Sequence, residues 1–265
     1  MTTTTPERTP HTVALTTDVG EGFGQWVIAD DATLLDTVSG ANVACGFHAG
    51  DPDIMRRTCE HAARNGVSIG AQVSYRDLAG FGRRYLAVPG DTLTNDLLYQ
   101  IGALEAFAKA AGTTVSYVRA HGALYNVAAT NAEHAAAIVE ATRLWDPSLP
   151  VLAQVGTQTW KLAEEAGIRA IAEAFVDRAY TSDGLLLSRG EPGALLDDGD
   201  EAAQRAVRMV TEGTLPAVDG STIPVTAQAL LVHSDTPGAV AIAHKTRDAL
   251  LAAGISIVPV SELRG

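Results

Sequence analysis

Six polar stretches carry residue types that can do chemistry, and each follows a short apolar run. "TDVGEGFG" supplies Asp18 and Glu21, and "ANVACGFHAGDP" supplies His48 and Asp51. "SYRDLAGFGRR" supplies Tyr75, Asp77, Arg83 and Arg84, and "HGALYN" supplies His121 and Asn126. "EAFVDRAYTSDGLL" supplies Glu173, Asp177 and Arg178, and "VHSDTP" supplies His233 and Asp235. Carboxylates beside histidines suit general acid–base catalysis or hydrolysis assisted by a divalent metal. Both chemistries act on amides and esters. The expectation is hydrolysis of a C–N bond, with Asp or His activating water and Arg or His steadying an oxyanion.

Other chemistries lack their residues. There is no G-x-S-x-G elbow, and Cys45 lies inside an apolar run without an activating base, so a thiol nucleophile is not expected. "DVGEGFG" misses the G-x-G-x-x-G spacing, and its two carboxylates would repel a pyrophosphate. No G-x-x-x-x-G-K-[ST] occurs. No ATP or dinucleotide cradle is therefore expected in this chain.

The elements that must position these residues are short strands alternating with helices. Strands are predicted over 12–17, 41–45, 67–72, 114–120, 151–154, 169–174, 229–233 and 256–260. Asp51-Pro52 reads as an N-cap before a proline at the first helical position, and Gly66 as the residue that ends that helix. Asp91 and Gly112 bracket another helix, and Asp235-Thr236-Pro237 and Gly254 a last one. Strands alternating with helices imply parallel βα units. Such a sheet can lie open and doubly wound or close as a barrel. In either form the C-terminal ends of the strands share one rim, where active sites assemble. Three of the seven histidines, His48, His121 and His233, fall on it. His11, His61, His134 and His244 are expected in structural or solvent roles.

The chain has 265 residues, and its 31 acidic against 19 basic residues leave a net charge of −12. That length suits one barrel-sized domain, and no linker or composition shift divides it. The charge excludes a phosphate-backbone or anionic-membrane partner. Cys45 and Cys59 form no disulfide framework and are expected as buried free thiols in a reducing, cytoplasmic compartment. The first eleven residues lack an apolar core of the secretory kind and are expected to be a disordered tail. No apolar run reaches the roughly 18 residues of a membrane span.

The six quoted stretches, in this order, resemble the motifs of the LamB/YcsF family, over about residues 13–260. The resemblance implies a distorted (β/α) barrel of about seven barrel strands, related to carbohydrate deacetylases and glycoside hydrolases. It implies the A subunit of a 5-oxoprolinase, which opens 5-oxoproline (pyroglutamate) to L-glutamate with ATP, jointly with separate B and C subunits. On that reading Asp18, Glu21, His48, His121, Glu173 and Arg178 serve catalysis, and Tyr75, Arg83, Asn126, His233 and Asp235 hold the substrate. The aspartate and two histidines that hold a metal in the related deacetylases match Asp18, His48 and Gln72. Glutamine is a much weaker ligand than imidazole, so tight metal binding is not expected, and Asp18 and His48 stand as weak candidates. The pattern also differs where Thr16 replaces an asparagine, Val73 a proline, Arg119-Ala120 a Lys-Pro pair and Ser234 a glycine. Two alternatives stand beside the main one: a stand-alone metal-dependent deacetylase acting on an N-acyl substrate, and a substrate-binding paralogue without catalysis.

Overall fold

A computed structural model describes residues 11–264, so all of the expected tail except His11 lies outside the described residues. Seven parallel strands close a barrel: β1 (Thr12–Val19), β2 (Gly40–Ala44), β3 (Ser68–Val73), β4 (Val115–Ala120), β5 (Val151–Ala153), β6 (Ala170–Phe175) and, after a β7–β8 hairpin (Thr214–Pro216, Thr222–Pro224), β9 (Ala229–Val232). Closure is made by β9, which pairs with β6 on one edge and β1 on the other. A short β10 (Ser256–Ile257) adds to the first residues of β1. All eight predicted strands are present. The β7–β8 hairpin lies outside that prediction, because each of its strands has three residues and each ends in proline.

Helices α1 (Asp31–Leu35), α2 (Pro52–Arg64), α3 (Gly90–Ala110), α4 (Gly122–Ala128), α5 (Ala132–Trp145), α6 (Gln158–Glu165), α7 (Gly199–Thr211) and α8 (Ala239–Ala252) follow the strands. Asp51 caps α2 as expected, its carboxylate accepting from Ile54 N at 2.9 Å. The last helix differs. It starts at Ala239 behind Gly238, because the Asp235 side chain is taken by two arginines.

Period-two alternation sorts the strand residues between two environments. Val13, Leu15, Val43, Ile69, Val118 and Leu230 face outward into the apolar layer under the helices. Ala14, Tyr117, Leu152, Ile171 and Ala229 face inward and fill the lower barrel, which Val260 and Leu263 of the C-terminal segment plug. Tyr117 lies flat across β3, where a Cβ on Gly70 would fall 2.0 Å from its ring. Its hydroxyl donates to Asn42 at 2.8 Å, and Asn42 donates to Asp18 at 3.0 Å. The inward positions thus turn polar one layer up, and the site begins there. Cys45 and Cys59 are buried and unpaired; burial raises both thiols, Cys59 to about 12, which keeps them inert at physiological pH.

Candidate functional site

Two buried polar clusters sit side by side under a cavity of about 550 Å³ at the C-terminal ends of the strands. In the first, Arg119 of β4 lies between two carboxylates. Its Nε donates to Glu173 of β6 at 3.2 Å, and its Nη1 to Asp18 of β1 at 3.2 Å. Its guanidinium carbon lies 5.1 Å from the ring centroid of Tyr125. Burial works against the charge of Arg119, but Asp18 and then Glu173 outweigh it and hold the guanidinium firmly protonated. Burial raises Glu173, with Arg119 opposing.

The second cluster joins Glu21, His48, His121 and Gln72. One donor atom each from Glu21, His48 and His121 lies within 4.8 Å of the others. His121 Nδ1 is 3.2 Å from Glu21 Oε1, and His48 Nε2 is 3.6 Å from the same oxygen. The two imidazoles stack with centroids 4.0 Å apart. The loop "SYRDLAGFGRR" folds over them. Gly82 sits where a Cβ would fall 2.8 Å from His48 Cβ, and at φ +65° it occupies the left-handed region that glycine tolerates. Phe81 beside it is held at φ 54°, a strained value for a residue with a Cβ. Its carbonyl, which can only accept, is 3.0 Å from His121 Nε2 and so assigns the ring proton to that nitrogen.

That tautomer leaves a lone pair on His121 Nδ1 facing a carboxylate oxygen. The Gln72 amide nitrogen reconciles the two, donating to both at 2.9 Å. Its own carbonyl oxygen is buried without a partner, as are both ring nitrogens of His48. Burial and then His121 push His48 down to about 4, so it is neutral at physiological pH and keeps a lone pair. Burial opposes the Glu21 charge, but the neighbouring His121 and His48 outweigh it and hold the carboxyl well below its usual range.

This donor set fits a divalent ion. Four-coordinate ligands at 2.0–2.1 Å from a metal are separated by about 3.3 Å, close to the 3.2 and 3.6 Å found here. One of the unpartnered His48 nitrogens would gain a partner, and a half-turn of the Gln72 amide would offer its orphaned oxygen. The metal set that the resemblance implied is thereby corrected. Asp18 does not join the group, because Arg119 and Asn42 already hold its carboxylate; Glu21 and His121 take its place. We expect wild-type affinity to be weak, since the Gln72 amide competes for the same lone pairs. Gln72→His should tighten binding of zinc or manganese at least about tenfold, read by competition with a chromophoric chelator. Full occupancy of the wild type after dialysis, unchanged by the substitution, would count against this.

The cavity itself is cationic. Arg83, Arg119, Arg178 and Arg189 line it with Asp18, His121, Tyr125, Asn126 and His233. Asp235 accepts from Arg83 at 2.7 Å and from Arg189 at 3.4 Å, one carboxylate for two guanidiniums. His233 is fixed by Asp177, which accepts from its backbone nitrogen at 3.0 Å, from its Nδ1 at 3.0 Å and from the Thr236 hydroxyl at 2.6 Å. Nδ1 therefore carries a proton, and Nε2 has no hydrogen-bond partner among the described residues. Burial opposes the Asp177 charge, but His233 and its hydrogen bonds win and hold the carboxyl low.

Two expected site residues have other work. Tyr75 does not line the cavity; its hydroxyl is buried against His134 Nδ1 at 2.6 Å, so it ties β3 to α5. Arg178 lines the cavity, but its Nε and Nη2 donate to the carbonyls of Ala194 and Leu187, so it anchors the segment that forms one wall. Sequence reading passes over Arg119 as a site residue, takes Gln72 only as a weak stand-in for a metal-ligating histidine and leaves Asp177 unassigned. The signal for the first two is present: both stand where the sequence departs from the family's motifs.

Comparison with known proteins agrees with this architecture. The chain is 55% identical over 249 residues to the 5-oxoprolinase A subunit of Mycolicibacterium gilvum, an alignment that covers 94% of this chain and 99% of that one. The crystal structure of a lactam utilization protein from Thermus thermophilus superposes with a TM-score of 0.89 at 42% identity, covering 93% of this chain and 99% of that one. A T48 deacetylase in complex with its substrate shares the fold, with a TM-score of 0.51 at 15% identity over 95% of this chain and 89% of that one. The LamB/YcsF family model matches residues 13–265, the same span that carries the barrel and both buried clusters, and the chain belongs to that family.

Proposed function

We propose that this chain is the A subunit of an ATP-dependent 5-oxoprolinase, a single barrel domain that opens 5-oxo-L-proline to L-glutamate in the cytoplasm together with B and C subunits. The observation that carries the reading is the pairing of a cationic cavity with two buried acid–base clusters at its floor. The relatives' names supply the substrate and the division into subunits.

Arg83 and Arg189, which share only Asp235, take the substrate carboxylate at the mouth of the cavity. Asp18 accepts a proton from the attacking water, its charge balanced by Arg119. The remaining Nη2 of Arg119 donates to the oxyanion that forms at the lactam carbonyl. His233, protonated on both nitrogens with Asp177 steadying the imidazolium, gives its Nε2 proton to the departing ring nitrogen and returns to the Nδ1–H form. Asn126, also in the cavity wall, holds the lactam by hydrogen bonds. A divalent ion held by Glu21, His48 and His121 would polarise the carbonyl.

ATP use belongs to the assembled complex. The purified chain alone should neither hydrolyse ATP nor open the lactam. Addition of B and C subunits should release L-glutamate and phosphate together. Vigorous ATP hydrolysis by the single chain, or no glutamate from all three, would overturn the proposal. The Glu21–His48–His121 group also supports a second reading, metal-dependent hydrolysis of an N-acyl substrate; acetate release without ATP from an N-acetylated substrate would favour it.

A further inference from the structure

Among the described residues, twelve large apolar side chains are exposed, and eight of them lie in segments that follow the C-terminal ends of β1, β3, β5 and β6. The most prominent come from one turn after β1, where Trp26 is 69% and Val27 84% exposed. This turn is rigidly built. Phe23 and Trp26 exchange backbone hydrogen bonds at 3.0 and 2.9 Å, and their rings lie 6.2 Å apart. Gly24 N donates to the Asp51 carboxylate at 2.8 Å, and the Gly22 carbonyl accepts from Gly50 at 2.7 Å. A frame of this kind holds apolar side chains in water at a fixed place, which is the arrangement of an interface anchor. The turn leaves directly from Glu21 of the buried cluster, so it stands at the end of the barrel that carries the site rather than on a remote face.

We infer that the C-terminal rim of the barrel, with Trp26 and Val27 at its centre, is the surface on which another subunit of the enzyme docks. The inference rests on the function proposed above. The occupant is a different protein with an apolar pocket edged by basic groups, because exposed Asp30 and Asp53 stand at the feet of the turn. A second copy fits less well, because it would bring the same exposed carboxylates, Asp30 and Asp53, face to face. Docking here places the partner at the end of the barrel that carries the two buried clusters.

The test uses the full chain and purified B and C subunits from the same genome. Trp26→Ser combined with Val27→Ser removes the anchor, and Leu144→Ser with Leu251→Ser alters exposed apolar residues off the rim. The rim variant should bind the other subunits at least about 30-fold more weakly, the loss expected for a central aromatic anchor. It should keep its melting temperature and its metal affinity, and the control variant should bind normally. Wild-type binding and glutamate release with unchanged binding by the rim variant would overturn the docking surface and leave the proposed function standing. If the wild type neither binds the subunits nor yields glutamate with them, both fall. A rim variant that loses only self-association in sedimentation would assign the face to a second copy and overturn the inference.

Discussion

Arg119→Leu should destabilise this protein by about 3–5 kcal/mol, the cost of removing one member of a buried charge group. The variant leaves Asp18 and Glu173 in the barrel with no guanidinium, both of them almost wholly buried. For a chain of this size the loss should appear as a fall in melting temperature of roughly 10 °C or more. The cause can be isolated. Asp18→Asn and Glu173→Gln, added to Arg119→Leu, remove both stranded charges and should restore most of the lost stability. Turnover should not return, because the triple variant has neither the water-activating carboxylate nor the oxyanion donor. Arg119→Lys keeps the charge but not the fork, and a single ammonium cannot reproduce two separate donors to Asp18 and Glu173. A melting temperature within about 2 °C of wild type for Arg119→Leu, or no recovery in the triple variant, would show that the cluster does not hold the barrel in this way.

The residues legible in the sequence are those whose role follows from placement alone. His48, His121 and His233 end apolar runs, and a parallel sheet must bring such ends to one rim; the structure places them there. Arg119 is not legible for the opposite reason. It lies within a strand, where alternation predicts only that it faces inward, and nothing in a linear pattern says that inward means between two carboxylates. The donor group is misassigned by a related shortfall. Motif matching pairs position 18 with positions 48 and 72, but the tight turn at Gly20–Glu21 carries the second carboxylate to His48 and His121 while Arg119 draws the first away. Tyr75 shows the same limit, since its hydroxyl reaches a histidine on α5 that no local pattern connects to it.

Asp177→Asn should lower kcat by about 10²–10⁴-fold with little change in fold, the range associated with misplacing a catalytic imidazole proton. Asp177 takes the His233 backbone N–H, the Nδ1 proton and the Thr236 hydroxyl together. An asparagine can keep the backbone contact through its oxygen, which turns its NH₂ toward Nδ1. That nitrogen must then accept, so the ring's single proton sits on Nε2 and cannot be given up without leaving an imidazolate. The substituted amide also cannot balance an imidazolium charge. The effect should fall on kcat rather than KM, because substrate is held by Arg83 and Arg189 and not by His233. Stability gives an independent readout with a defined sign. Asp177 has a folded pKa below the ordinary carboxylate value, so its contribution is present above the unfolded pKa near 4 and is lost as pH falls through the folded value. Wild type should therefore lose stability below about pH 4 through this group, and Asp177→Asn should lack that part of the acid limb. A variant that retains kcat within about threefold while showing the altered acid limb would make Asp177 a structural tether and remove His233 from proton transfer.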